Sequence, residues 1–240
     1  MTRALESDLL VVAARNHILK QLPSSVSSMI LEESVLTELQ YGRRLFREDG
    51  PVETLYFPLS AVVSIVAEIS GGGSIEMATV GNEGIAGIGA VLGVPLGLGR
   101  TIVQVTGEAV SIGARRFNQI VASEQRLAVL LHRYVYAFLR QILQSGVCNL
   151  VHTVLERCAR WLLVTHDRAG ADEIRLTQDS LAEMIGTRRA NVNEALRRLR
   201  DAGAIQYVYR RIAVVDRRRL ELFSCPCYGA IRRTFELVGV

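Results

Sequence analysis

The rhythm of hydrophobic and polar positions changes twice along the 240-residue chain. Up to about residue 117, short alternating segments recur. They predict strands at 43–47, 55–57, 62–69, 75–80, 102–105 and 109–112. Before them, residues 15–22 are expected to be helical, Pro23 to end that helix, and 24–38 to supply one or two more short turns. Turn chemistry separates the strands: Asp49-Gly50-Pro51, a hairpin at Gly71-Gly72-Gly73-Ser74, and a turn at Gly81-Asn82-Glu83-Gly84. Short strands at even intervals with glycine-rich turns suggest a sandwich or barrel.

The second rhythm runs over 116–151. Leu127, Leu131, Tyr134 and Phe138 recur at 4-3-4 spacing, and Ala128, Val135 and Ile142 widen the stripe, which predicts a long helix. Its apolar surface is broader than one flank needs. One side is expected to lie on the β domain and the other to meet a second copy of the helix; burial wholly within its own chain is the alternative. A helix over 154–165, a polar loop over 166–173 and a helical hairpin follow. The expected domains are therefore 1–150, with the long dimerisation helix at about 117–150, and 151–240.

The hairpin carries the chemistry. Leu181 and Ile185 are apolar where a first helix must face its core, and Ala182 is small where a second helix crosses. Gly186 suits a left-handed turn. Thr177 and Thr187 are placed to cap the two helices. Val192, Ala195, Leu196 and Leu199 form the inner face of the second. Its outer face is Arg188, Arg189, Asn191, Asn193, Glu194, Arg197 and Arg198, nearly all able to meet base edges or phosphates. The pattern predicts a DNA-reading helix-turn-helix at about 177–201. Arg189 is the expected main base reader, Arg188, Asn193 and Glu194 further candidates, and Thr177, Gln178 and Arg197 phosphate contacts. The β-runs 205–208 and 212–215 then flank a basic tip with Arg210, a wing able to reach a phosphate.

Charge sharpens this reading. Residues 1–151 hold 12 Lys+Arg and 13 Asp+Glu; residues 152–240 hold 16 and 11, every one of those cations arginine. A basic end on a near-neutral body points to a polyanion such as double-stranded DNA. Composition bounds the rest. No apolar run approaches a membrane span, and the run at 9–14 is short for a secretion signal, so a soluble cytoplasmic chain is expected. Cys148, Cys158, Cys225 and Cys227 are too few and too scattered for a disulfide framework. The Cys225-Pro226-Cys227 spacing is tighter than a zinc knuckle's, so these thiols are read as structural and no metal site is expected. No paired carboxylates, nucleophile elbow or P-loop argues for an enzyme.

In Leu176 to Gly186, the second helix through Leu199, and Ala204 to Leu220, the chain resembles the Crp/Fnr family of transcription regulators, and the order of parts agrees nearly throughout. The resemblance implies an α+β fold: an N-terminal cyclic-nucleotide-binding-like β-roll, a long dimerisation helix and a C-terminal winged helix-turn-helix. It also implies a homodimer on a two-fold related site, an effector sensed in the roll, and RNA polymerase as a candidate further partner. The family's reading positions fall on Arg189, Ala190 and Glu194, where its commonest pattern is Arg, Glu, Arg; a different half-site is expected. A cyclic-nucleotide cassette would draw on Glu83, Gly84, Arg100 and Thr101, but the stretch 87–99 is longer than that cassette and rich in glycine. The expected effector is therefore an unknown small molecule rather than cyclic AMP, a cyclic-nucleotide-responsive regulator using Arg100 and Thr101 being the alternative. No cysteine precedes Cys148, against an Fnr-type iron–sulfur centre, and no histidine lies between 40 and 120, against haem. A signalling module whose winged domain contacts protein is a further alternative, which a steep salt dependence of DNA binding would exclude.

Overall fold

The computed structural model describes residues 11–69 and 73–240. Helices α1 (His17–Gln21) and α2 (Ser24–Glu32) lead into seven strands: β1 (Ser34–Leu39), β2 (Arg44–Phe46), β3 (Thr54–Pro58), β4 (Val62–Glu68), β5 (Ser74–Val80), β6 (Arg100–Val105) and β7 (Gly107–Gly113). A short helix, α3 (Ile88–Val91), precedes β6. The strands form two antiparallel sheets, ordered β1-β7-β3 and β2-β6-β4-β5. Leu55, Phe57, Val110 and Ile112 of the first sheet share one core with Val63, Ile65, Ala78, Val80 and Val103 of the second. The six expected strands are present. Residues 34–38, expected to belong to short turns, instead lie in β1, an edge strand. Gly71 and Gly72 of the expected hairpin, and residues 9 and 10 of the apolar run, lie outside the described residues; the flanking β4 and β5 pair as a hairpin requires.

The long helix is two elements, not one. α4 (Ala114–Ser123) and α5 (Gln125–Val151) meet at Glu124, whose backbone (φ −120°, ψ 89°) leaves the helical region. α5 has 27 residues, about 40 Å at 1.5 Å per residue. Leu127, Leu131, Tyr134 and Phe138 are its buried face, as the 4-3-4 spacing predicts. A second stripe, Tyr136, Leu139, Leu143, Val147 and Leu150, is exposed; Leu143 is 63% and Leu150 88% accessible. Among the described residues no helix is long and apolar enough to cross a membrane.

After Thr153, which closes a capping box with Glu156, comes α6 (Val154–Ala169). It runs past the expected start of the polar loop because Arg168 and Ala169 are buried, and Gly170 ends it in the left-handed region at φ 62°. Then follow β8 (Glu173–Arg175), α7 (Gln178–Ile185), α8 (Arg189–Asp201), β9 (Ile205–Val208), β10 (Arg211–Val214), α9 (Arg217–Phe223) and α10 (Cys227–Val238). β8, β10 and β9 form a small antiparallel sheet. Trp161, Leu162, Leu181, Ile185, Val192, Leu196, Leu199, Ile212 and Leu220 build a second core. Val66 of β4 belongs to that second core, so the larger roll sheet is covered on both faces. That explains the nearly unbroken apolar run of β4. α10 returns to the first core with Ile231 and Phe235, joined by Val240 just past its end.

Candidate nucleic-acid interface

The helix-turn-helix is set by local chemistry. The Thr177 side chain accepts from the Ser180 N–H at 3.0 Å and caps α7. Gly186 stands at φ 67° and turns the chain. The Gly186 and Thr187 N–H groups close the end of α7 on the carbonyls of Glu183 and Ala182. One expected cap is corrected. Because α8 begins at Arg189, the cap position falls on Arg188, which makes no side-chain capping bond. Thr187 sits one residue too early, and its hydroxyl accepts from Asn191 Nδ2 at 2.9 Å. The first turn of α8 thus carries no side-chain cap, and its N–H dipoles favour an anion there.

The faces divide as the helical period predicts. Val192, Ala195, Leu196 and Leu199 are buried, while Arg188, Arg189, Asn191, Asn193, Glu194, Arg197 and Arg198 are exposed. Gln178 ties the two helices together. Its Oε1 accepts from Arg189 Nε at 3.4 Å, and its Nε2 donates to Asn193 Oδ1 at 3.3 Å. Asp179 lies 3.4 Å from Arg189 Nη1. Such exposed contacts are individually weak and are readily exchanged for a base or phosphate. The wing is a two-residue hairpin between Val208 and Arg211, with Tyr209 and Arg210 exposed at its tip. Arg210 takes a left-handed backbone, φ 62°, and its carbonyl accepts from the Leu176 N–H at 2.9 Å.

The four candidate effector residues lie in two places. Glu83 accepts from the Gly81 N–H and pairs with Arg168 Nε at 2.9 Å, both side chains being under 10% exposed. Gly84 has no room for a side chain: a Cβ there would collide with the Tyr134 ring and hydroxyl. Arg100 points to α7 instead, with Nη2 2.5 Å from Glu183 Oε1 and 3.0 Å from Ser74 Oγ, and Nε 3.4 Å from Glu68. Thr101 is buried and donates to the Gly99 carbonyl at 3.3 Å. Among the described residues no hydrogen bond or ion pair joins Glu83 and Gly84 to Arg100 and Thr101.

Glu183 is a residue that sequence reasoning missed. Burial works against its ionisation, but the Ser74 hydroxyl and the Arg100 guanidinium hold its carboxyl below the usual range. Beside it, Gln104 donates to Met184 Sδ at 3.0 Å, and Tyr41 is bonded to Ser180. These contacts dock α7 on the roll. No local signal announces them, because each partner lies far away in the chain.

The model of the Crp-like helix-turn-helix domain matches residues 156–223. No curated protein sequence matches the chain. FixK2 from Bradyrhizobium japonicum is similar in structure at a TM-score of 0.64 and 18% identity, over 80% of this chain and 98% of that one. TTHB099 from Thermus thermophilus, a transcriptional regulator of the CRP family, gives 0.64 and 20%, over 78% and 96%. CLP from Xanthomonas campestris, a c-di-GMP responsive global regulator, gives 0.63 and 17%, over 80% and 99%. These identities speak to the fold alone, and the family-model match is confined to residues 156–223. Residues 156–223 thus form a Crp-like helix-turn-helix domain, and the chain as a whole shares its fold with solved regulators of the Crp/Fnr type.

Proposed function

We propose that the chain is a homodimeric, sequence-specific transcription regulator that reads a two-fold related DNA site with α8. The observation that carries this reading is the division of α8. One face is buried in the second core, and the other presents Arg188, Arg189, Asn191, Asn193, Glu194 and Arg197 to solvent. In this motif the N-terminal turns of the second helix enter the major groove while the first helix lies across the backbone. Arginine forks then match guanine, asparagine matches adenine, and glutamate accepts from cytosine. Thr177 and Gln178 stand at the start of α7, and Arg210 at the wing tip, where phosphates would pass. The exposed stripe on α5 supports the dimer, because an apolar row at this 3-4-4-3 spacing is the seam that two paired helices share.

The effector in this reading is a small molecule other than cyclic AMP. Support comes from the engagement of Arg100 by Glu183 and Glu68, of Glu83 by Arg168, and from the Tyr134 ring against Gly84. Genomic footprinting with the purified protein tests the function. Palindromic protection with half-sites about one turn, roughly 34 Å, apart is expected; sequence-independent coverage would sink it. Cyclic AMP added to the footprinting reaction is expected to leave the pattern unchanged.

A further inference from the structure

Cys148 stands in the last turn of α5, and His152 is the residue just past its end, where the backbone turns extended (φ −104°, ψ 149°). Cys225-Pro226-Cys227, the entry to α10, folds against this helix end. Cys148 Sγ lies 3.4 Å from Cys225 Sγ, and Cys227 Sγ lies 3.6 Å from His152 Nδ1. The four donor atoms all lie within 4.8 Å of one another. The three thiols are buried and unbridged. A tetrahedral zinc ion with Zn–S of about 2.3 Å needs sulfurs about 3.8 Å apart, close to this arrangement, whereas a disulfide needs about 2.0 Å.

The surroundings also suit a metal. Gln144 donates from Nε2 to Cys227 Sγ at 3.0 Å, the outer hydrogen bond that steadies a ligating thiolate. Three thiolates and a dication leave one net negative charge. Arg160 is buried, its Nε has no hydrogen-bond partner among the described residues, and its positive charge beside the cluster offsets that excess. Three soft sulfurs and one imidazole select zinc over hard cations, and four protein donors describe a closed, structural site.

We propose that Cys148, His152, Cys225 and Cys227 form a four-coordinate zinc site that clamps the last turn of α5 to the segment entering α10. Zinc replaces the thiol protons as it binds. The clamp sits beside Thr153, where α5 hands over to the helix that opens the DNA-reading domain, and so fixes the elbow between the two halves. A Cys148–Cys225 disulfide would engage two of the four groups and leave Cys227 and His152 without a role.

The test uses the full chain, purified under reducing, anaerobic conditions. Elemental analysis is expected to find about one zinc per chain. After chelation, Co²⁺ titration is expected to give near-ultraviolet thiolate charge-transfer bands and the visible bands of tetrahedral cobalt, both abolished by added Zn²⁺. Cys227→Ser and His152→Ala are each expected to weaken Co²⁺ binding on the order of 100-fold. Cys158→Ser is expected to leave the spectrum unchanged, since Cys158 lies outside the cluster and burial pushes its thiol up to about 12. Stripping the metal is expected to lower the Tm by about 5–10 °C. Absence of both zinc and cobalt bands in the reduced wild-type chain overturns the proposal, whatever the variants do. So does a Cys148–Cys225 disulfide in peptide maps of metal-free protein isolated from a reducing cytosol.

Discussion

Glu76 is a carboxyl group buried where β5 faces α6. It accepts from the Ser64 hydroxyl, from Thr79 Oγ1 at 2.9 Å and from Trp161 Nε1 at 3.1 Å. Burial raises its pKa, and the three donors only partly oppose that rise. A raised folded value means a contribution to stability that is complete below the unfolded value and lost as pH rises through the folded one. Thermal melts from about pH 4 to about pH 8 are therefore expected to show wild type falling behind Glu76→Gln as pH increases; parallel curves would remove the burial argument. Arg189→Ala is expected to cost about 1–3 kcal/mol on the specific site and to relax one base position. Affinities on specific and random duplexes check this, equal loss on both reassigning Arg189 to a phosphate. At this scale the outer face of α8 was legible, because the helical period alone decides which side chains face away from the core. Arg100 was not, because its partner Glu183 is 83 residues distant. Nor was the absence of a Thr187 cap, which depends on where the bonds of the Gly186 turn close.

Gly186 shows what an element needs from one residue. Its φ of 67° is costly for any side chain, and a Cβ there would lie 2.6 Å from Ile75 Cδ1 on β5. Gly186→Ala is expected to destabilise by about 1–2 kcal/mol from the backbone alone. Ile75→Ala should recover only the part due to the clash, and denaturation of the single and double variants separates the two. α5 presents the opposite case, an element with too much apolar surface for its own chain. Leu139→Glu with Leu143→Glu is expected to convert the proposed dimer, of about twice 26.5 kDa, into a monomer by light scattering, with the fold unchanged by circular dichroism. An unaltered mass would show that the exposed stripe serves something else. Alternation made six strands legible, while β1 reads Ser-Val-Leu-Thr-Glu-Leu and leaves Val35 and Leu36 exposed, a weak edge pattern that propensity alone does not resolve. The break at Glu124 was invisible too, since neither proline nor glycine marks it and tertiary packing sets it.

The whole molecule is organised around a sheet shared by two cores. Val66 places β4 in the second core while Val63 and Ile65 serve the first, and α10 carries the end of the chain back to the roll. Polar links reinforce the seam: Trp161 with Glu76, Arg168 with Glu83 and Gln141, and Glu183 with Ser74 and Arg100. The last of these is open enough to water to act as the adjustable one, Glu183 being 42% exposed against 17% for Arg100. Arg100→Ala and Glu183→Ala are each expected to raise hydrogen exchange in β5 and α7 about fivefold at neutral pH, since one charge-assisted, partly solvated bond is worth about 1 kcal/mol. The double variant should exchange less than additively faster, because the Arg100–Glu183 pair common to both single variants is lost only once. Glu183 titrates below its usual value, so its contribution holds above the ordinary carboxylate range and fades as pH falls through the depressed value. Thermal melts of wild type and Glu183→Gln are accordingly expected to converge on acidification. Additive exchange in the double variant, or melts that stay apart in acid, would mean that Arg100 and Glu183 act separately and that apolar packing alone seats α7 on the roll.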